Sequence, residues 1–229
     1  MSNRPKLLDL FCGAGGCSVG YHRAGFDVVG VDNRSMPRYP FEFHQADALE
    51  FLAAHTSEFD AVHASPPCQR YSNAAKRAGT HLRHPDSVEP CRKALEACGL
   101  PYVIENVPGS PLRTWFKLCG TMFRLKVRRH RYFEVNWDLP VMLPFQCDHS
   151  YRVFSVFGHG SGNRNGNKRP DAGTVAEWKD AMGIDWMIRD ELSQAIPPAY
   201  TEFIGRQLIS VLTYEPHSPR HRIGSDESL

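Results

Sequence analysis

The chain has 229 residues, 41% of them hydrophobic and 23% charged, a globular composition that excludes a disordered chain and a membrane-embedded one. Lys and Arg together number 27 against 25 for Asp and Glu, which excludes a strong positive field over the whole molecule. Any binding of nucleic acid must therefore come from local basic clusters.

We expect neither a membrane-spanning segment nor a secretory signal in this sequence. No apolar stretch reaches the ~18–20 residues that cross a bilayer, and the first residues lack the apolar run and cleavage site of a secretory signal. We therefore expect a cytoplasmic protein.

Short apolar runs alternate with helical patterns through the first half of the chain. Ser87 is a plausible cap for the helix that follows it. The alternation predicts an α/β fold with a doubly wound, mostly parallel, Rossmann-like sheet. The predicted strands lie at 7–11, 28–31, 59–63 and 102–104, and the helices at 19–24, 48–54 and 88–98.

The second half is organised differently. Strands predicted over 124–135 are interrupted by a basic run, and a glycine-rich, basic loop follows at 158–170. Thr174 and Glu177 fit a capping box, and a final helix starts near Pro197. We divide the chain into an α/β domain at 1–133, a small insert at 134–173, closing helices at 174–214 and a disordered tail at 215–229.

Glycines fill the turn at 11–16, between the first predicted strand and the first helix. Such a turn lets a ligand approach backbone N–H groups at a helix N-terminus, although a tight turn without a ligand is the alternative. The dinucleotide and P-loop patterns are both absent. Asp32 ends the second strand, where α/β sites place an acid for ribose hydroxyls, or it serves as a turn former.

Two further motifs follow predicted strands, at the edge where open α/β sheets build their sites. In Ser-Pro-Pro-Cys-Gln at 65–69, the prolines fix the backbone and display Cys68 as a covalent nucleophile requires; a buried inert cysteine is the alternative. Glu105 closes the next strand and is a candidate acid or hydrogen-bond partner. The basic run at 126–131 offers guanidinium groups for phosphates, or is a solvated face.

In this order, the motifs resemble the cytosine-5 DNA methyltransferase family. Residues 11–16 match its S-adenosylmethionine loop, 66–69 its nucleophile motif, 105–107 its cytosine-recognition motif and 129–131 its Arg-x-Arg motif. The resemblance is strong over 7–133 and weak over 174–212. Two departures stand out: Val127 replaces the usual Gln before the Arg-x-Arg motif, and Ser193-Gln194 replaces a Gly-Asn pair.

The resemblance implies transfer of a methyl group from S-adenosylmethionine to carbon 5 of a flipped-out cytosine in double-stranded DNA, through a covalent bond to Cys68. It implies the catalytic residues Cys68, Glu105, Arg129 and Arg131. The cofactor-binding residues are Phe11, Gly13, Ala14, Gly15, Gly16, Asp32, Asp47, Pro66 and Gln194. We assign nucleic-acid binding to Gln69, Ser72, Arg128, Arg164, Lys168 and Arg169.

The segment at 134–173, which carries target recognition in the family, is short here and can place few side chains on base edges. We therefore expect a monomeric, orphan or virus-encoded enzyme with loose sequence specificity. A methyltransferase acting on RNA, and a nucleic-acid or cofactor-binding module without turnover, remain as alternatives. Cys147 and His149 lack a second pair at zinc spacing, so no metal site is expected.

Overall fold

The computed structural model describes residues 4–137, 146–157 and 173–213. No helix in these ranges has the length and apolar character needed to span a membrane. The strands of the described residues are β1 (Lys6–Leu10), β2 (Asp27–Asp32), β3 (Glu42–Gln45), β4 (Ala61–Ala64), β5 (Tyr102–Asn106), β6 (Phe116–Leu118) and β7 (Arg131–Val135). The helices are α1 (Gly16–Ala24), α2 (Ala48–His55), α3 (Asn73–Arg77), α4 (Val88–Cys98), α5 (Val175–Met182), α6 (Arg189–Gln194) and α7 (Pro198–Thr213).

These strands form one sheet in the order β3-β2-β1-β4-β5-β7-β6. The first five are parallel, and β7 runs antiparallel to both β5 and β6. This arrangement confirms the predicted doubly wound, mostly parallel α/β fold. The carboxyl ends of β1, β2, β4 and β5 therefore meet at one edge of the sheet.

The alternation of side chains along β1 builds a core on each face of the sheet. Leu7 packs with Tyr21 of α1 and Tyr200 of α7 on one face. Leu8 and Leu10 face the other side, where α2 and α4 pack. A third cluster joins the glycine-rich turn to α5 and α6 through Ala14, Trp178 and Leu192.

The helix at 88–98 has the predicted bounds, but the expected side-chain cap from Ser87 is wrong. The Ser87 side chain makes no capping hydrogen bond. Asp86 Oδ1 instead accepts the N–H of Val88 at 2.9 Å and that of Glu89 at 3.4 Å. The carboxylate one residue earlier reaches the free N–H groups of the first turn.

The last helix, α7, packs against the α/β sheet. The capping box of Thr174 and Glu177 is formed. Helix α7 packs so closely on α1 that a side chain at Gly20 would collide with Thr201. The hydroxyl of Thr201 donates to the Cys17 carbonyl at 2.8 Å. Strand β7 continues through Val135, so the sheet extends two residues beyond the predicted end of the domain at 133.

Candidate active site

The turn after β1 is held by its own backbone and by Asp32. The N–H of Cys12 donates to Val31 O at 3.1 Å, which ties the turn to β2. The N–H of Gly13 donates to Asp32 Oδ2 at 3.1 Å. Phe11 and Gly13 both have positive φ, at 59° and 51°, so the chain reverses sharply before α1 begins. Asp32 therefore shapes the turn as well as ending β2.

The glycines of this turn serve two different purposes. A Cβ at Gly16 would collide with the carbonyl oxygen of Ile196, and one at Gly15 would lie 2.8 Å from Pro40 Cδ. Close packing therefore requires glycine at both positions. Apart from Gly13 and its two chain neighbours, no atom of the described residues lies within 4 Å of the place where a Cβ of Gly13 would be. The open side of the turn is thus at Gly13.

The remaining residues expected to bind a cofactor have the following contacts. Asp47 caps α2, because its Oδ1 accepts the N–H groups of Leu49 and Glu50 at 2.9 and 3.0 Å. The carbonyl of Ala14 accepts the indole N–H of Trp186 at 2.8 Å. Gln194 is exposed at the end of α6, and its Nε2 donates to Ser193 Oγ at 3.3 Å.

The loop that carries Cys68 is fastened to the end of β5 by Asn106. Asn106 is 1% exposed, and its Nδ2 donates to the carbonyl of the buried Pro66 at 2.9 Å. Its Oδ1 accepts the N–H of Val107 at 2.9 Å. Sequence reasoning missed this role, although the place of Asn106 beside Glu105 at a strand end was a signal for it.

Glu105 and Arg131 form the charged pair of the site. Arg131 Nε lies 2.9 Å from Glu105 Oε1, but the geometry is that of an ion pair rather than of an aligned hydrogen bond. Glu105 Oε1 is buried and has no aligned hydrogen-bond partner among the described residues. Burial raises the pKa of Glu105, and Arg131 partly offsets that rise. This oxygen is therefore available to a ligand that enters the site.

Cys68 is half-buried beside this pair. Burial raises the pKa of its thiol, the charge of Glu105 raises it further, and Arg131 lowers it. The thiol is therefore the resting form at neutral pH, and Arg131, with a smaller contribution from Arg129, favours the reactive thiolate. The structure thus brings Cys68, Glu105 and Arg131 together.

The guanidinium of Arg129 is held by backbone carbonyls. Its two terminal nitrogens donate to Val156 O at 2.6 Å and to Ser193 O at 2.8 Å. Its own carbonyl accepts the hydroxyl of Tyr200 at 2.6 Å. Burial lowers the pKa of Arg129 to about 9, with a smaller contribution from Arg131. These contacts are those of a positioning residue.

Behind Glu105, a chain of buried polar groups runs through residues that the sequence reasoning did not select. Tyr21 Oη lies 2.9 Å from His63 Nδ1, and His63 Nε2 lies 3.0 Å from Ser65 Oγ. Ser65 in turn lies close enough to Glu105 to lower the pKa of its carboxyl. Burial lowers the pKa of His63 to about 3, so its imidazole is neutral and orients the chain without adding charge.

Asp9 is a second buried acid that the sequence analysis overlooked. It lies fully buried in the middle of β1 and accepts the Ser18 hydroxyl at 2.5 Å. Burial raises its pKa from 3.8 to about 7. The signal for it was an aspartate inside an otherwise apolar strand.

A comparison with known proteins agrees with this geometry. The model of the family "C-5 cytosine-specific DNA methylase" matches residues 5–87. Residues 5–87 thus carry the sequence pattern of this family. The Type II methyltransferase M.AquIA of Picosynechococcus is 33% identical over 124 residues, covering 45% of this chain and 49% of the relative. M.HgiGI of Herpetosiphon aurantiacus is 37% identical over 83 residues, covering 31% of this chain and 66% of the relative.

The chain spans about half of the length of M.AquIA, the first of these methylase relatives. Among solved structures, the fold is matched over most of both chains. The Entamoeba histolytica methyltransferase EhMeth superposes with a TM-score of 0.60 at 13% identity, over 92% of this chain and 98% of that one. At this identity the likeness concerns the fold alone.

The basic run at 126–131 begins with alternating exposed and buried positions. Arg128 is exposed, whereas Val127 and Arg129 are buried, so the run is not a uniformly solvated face. Val127, which replaces the usual Gln, packs in the third cluster and bridges to Phe154. Lys126 pairs with Asp180 at 3.2 Å.

The other residues assigned to nucleic acid are only partly described. Gln69 is exposed beside Cys68, and Ser72 Oγ accepts the N–H of Ala75 at the start of α3, at 3.2 Å. The residues expected to contact phosphates from the insert, namely Arg164, Lys168 and Arg169, lie outside the described residues.

Cys147 and His149 have companion ligands in the fold that their spacing in the sequence does not show. The fold places Cys119 and His130 beside them, and the ligand atoms of all four residues lie within 4.8 Å of one another. The second pair comes from the end of β6 and the start of β7. Spacing along the sequence does not show such a pair, because the sheet brings it together.

Proposed function

We propose that this methylase transfers a methyl group from S-adenosylmethionine to carbon 5 of cytosine in DNA, with Cys68 as the covalent nucleophile. The observation that carries the proposal is the meeting of Cys68, Glu105 and Arg131 at neighbouring strand ends. The family description and the names of the Type II relatives support DNA as the substrate.

The turn at the ends of β1 and β2 fits the donor. Gly13 faces open space, and the Asp32 carboxylate accepts backbone N–H groups from Gly13 and Arg34, at 3.1 and 3.0 Å. Because a carboxylate offers about four lone-pair sites, Asp32 has capacity left for ribose hydroxyls. S-adenosylmethionine, when bound, supplies an electrophilic methyl group. Phe11, Ala14, Asp47, Pro66 and Gln194 would complete the contacts.

Cys68 begins the reaction as a thiolate that bonds to carbon 6 of cytosine. Arg131 favours the thiolate, whereas burial and Glu105 oppose it, so deprotonation is expected to accompany substrate binding. The bond to carbon 6 breaks the aromaticity of the ring and makes carbon 5 nucleophilic. After methyl transfer, loss of the carbon 5 proton lets the Cys68 thiolate leave.

Glu105 stabilises the electron-rich ring. Burial raises its pKa, which favours the protonated form that can donate to ring nitrogen 3, and Oε1, which has no aligned hydrogen bond among the described residues, can accept from the exocyclic amine. Arg131 offsets negative charge near the ring oxygen. Arg129 positions the Arg-x-Arg segment, because its hydrogen bonds to the carbonyls of Val156 and Ser193 hold that segment in place.

A cytosine stacked in a duplex cannot present its face to Cys68, so the base must be flipped out, at a cost of a few kcal/mol. Gln69, Ser72 and Arg128, with the insert residues Arg164, Lys168 and Arg169, would contact the DNA. If the insert residues touch phosphates, their replacement should weaken binding to all sequences alike. Bisulfite sequencing of a methylated plasmid should show a site of only two or three base pairs.

DNA that carries 5-fluorocytosine tests the covalent step directly. With S-adenosylmethionine present, methyl transfer gives a carbon 5 that carries fluorine in place of hydrogen, and fluorine cannot leave as a proton does, so the wild-type chain should be trapped in a complex that survives denaturing electrophoresis. Cys68→Ala should form none. Cys98→Ala is the matched control, because Cys98 is half-buried at the far end of α4 and should trap normally. Trapping of Cys68→Ala would contradict the proposal. Trapping of the wild type by RNA that carries 5-fluorocytosine, with none by the DNA, would contradict it as well.

The cofactor assignment has its own test. Asp32→Ala removes a charge-assisted hydrogen bond worth ~1.5–3 kcal/mol, so affinity for S-adenosylmethionine should drop roughly 10–150-fold in calorimetry. Asp60→Ala is the control, since Asp60 Oδ2 accepts the N–H of Lys6 at the opposite edge of the sheet. Unchanged affinity in Asp32→Ala would place the donor elsewhere.

A further inference from the structure

Four ligand-type side chains from three parts of the chain converge on one point outside the active site. Cys119 follows β6, His130 precedes β7, and Cys147 and His149 lie in the described segment at 146–157. Their Sγ and ring nitrogen atoms are all within 4.8 Å of one another. Neither the proposed methyl transfer nor the packing of the core uses this group as a whole.

The spacing of these atoms fits a metal ion at their centre. Cys119 Sγ lies 3.5 Å from His149 Nε2, and the Nε2 atoms of His130 and His149 lie 3.3 Å apart. A tetrahedral zinc ion, with Zn–S ~2.3 Å and Zn–N ~2.0 Å, holds sulfur and nitrogen about 3.5 Å apart and two nitrogens about 3.3 Å apart. The sulfur–nitrogen and nitrogen–nitrogen distances in the structure therefore match those of ligands that share one ion.

The chemistry of the four side chains selects zinc among the common metals. Two thiolates and two imidazoles are a structural zinc set, whereas magnesium and calcium require oxygen ligands. Two thiolates also neutralise the ion, which suits a surrounding that contains Lys117 and Arg128. Cys119 is buried and the other three are half-buried, so the ion would enter from the surface.

We propose that Cys119, His130, Cys147 and His149 bind a structural zinc ion. Four protein ligands fill the tetrahedron, so the ion has no open position for catalysis. His130 is the middle residue of the Arg-x-Arg motif, between Arg129 and Arg131. The ion would therefore fix both arginines and join the predicted recognition insert to the sheet at β6 and β7.

Metal analysis of the untagged full-length chain tests the proposal. After purification in reducing buffer without chelator, mass spectrometry of the metals should find about one zinc per chain. Cys119→Ser and His149→Asn should each lose at least tenfold of that content. The matched controls Cys98→Ser and His44→Asn, which lie outside the cluster, should keep it.

A second measurement on the wild type keeps the proposal testable if those variants fail to fold. The chain is stripped with a chelator under reducing conditions and titrated with Co²⁺ alone. Tetrahedral d–d bands and a thiolate-to-cobalt band should saturate at one equivalent, and added zinc should remove them. Zinc below 0.1 equivalent without cobalt bands, equal uptake by Cys119→Ser, or a Cys119–Cys147 disulfide in the reduced preparation would overturn the proposal.

Discussion

Replacing Asn106 with Ala should misplace Cys68 without removing any reacting group. Asn106 Nδ2 is the donor for the Pro66 carbonyl, at 2.9 Å, and the side chain is buried. The substitution leaves this carbonyl without that donor and releases the loop from β5. Cofactor binding should change less than kcat, because Pro66 is the one proposed cofactor contact in the released loop and the glycine-rich turn at β1 and β2 makes none of these contacts.

The size of the effect follows from the lost hydrogen bond. A buried carbonyl without its donor costs ~1–3 kcal/mol. If that energy falls wholly on the arrangement in which Cys68 can attack, kcat should drop by about 5–150-fold, with a smaller change in KM for S-adenosylmethionine. Transfer of tritium from labelled S-adenosylmethionine to DNA, under single-turnover conditions, measures the decrease.

Asn136→Ala is the matched control for Asn106→Ala. Asn136 binds the opposite end of β5, where its Oδ1 accepts the N–H of Tyr102 at 2.8 Å and its Nδ2 donates to Leu100 O at 3.0 Å. It should lose stability but keep kcat within about twofold. A folded Asn106→Ala protein with wild-type kcat, or an equal loss in Asn136→Ala, would refute the reasoning.

Three further predictions concern buried groups. Burial raises the pKa of Asp9 from 3.8 to about 7, so the native state holds a proton that the unfolded state releases; the free energy of unfolding should fall on the order of 4 kcal/mol from pH 4 to pH 7. Urea titrations should show this slope for the wild type and not for Asp9→Asn; equal slopes would contradict the assignment. Arg92 forms a buried pair with both carboxylate oxygens of Glu134, so Arg92→Ala should cost ~3–5 kcal/mol, and joint replacement of both by Leu should cost less. A loss below ~1 kcal/mol in the single variant would show that this pair is not the support we infer. Because burial raises the pKa of Cys68, its alkylation by iodoacetamide should be slower than that of free cysteine at pH 8 and rise about tenfold per pH unit through pH 9, whereas a plateau near pH 7 would contradict that environment.

Local patterns predicted the elements whose sequences carry a clear period. The helix at 88–98 has the bounds that its apolar spacing indicated, and β1 and β2 lie within a residue of their predicted positions. Strand β3 was missed because Glu42–Gln45 lies at the sheet edge and mixes polar with aromatic side chains. A period of two is weak in a strand of four residues.

The proximity of Cys68 and Glu105 was predictable, since both follow strands of one parallel sheet. The roles of Arg129 and Asn106 were not, because their partners come from tertiary structure. Arg129 binds carbonyls at Val156 and Ser193, which are 27 and 64 residues away in the chain. Asn106 binds Pro66, 40 residues earlier. A local sequence pattern cannot show contacts between residues that are so far apart in the chain.

Nucleoside mass spectrometry tests the central claim most directly. DNA and RNA are incubated separately with the full-length chain and S-adenosylmethionine carrying a trideuterated methyl group, then digested to nucleosides. We predict trideuterated 5-methyldeoxycytidine from DNA with the wild type and none with Cys68→Ala. Label on adenine or on the exocyclic amine of cytosine, label in RNA alone, or undiminished 5-methyldeoxycytidine from Cys68→Ala would contradict the account.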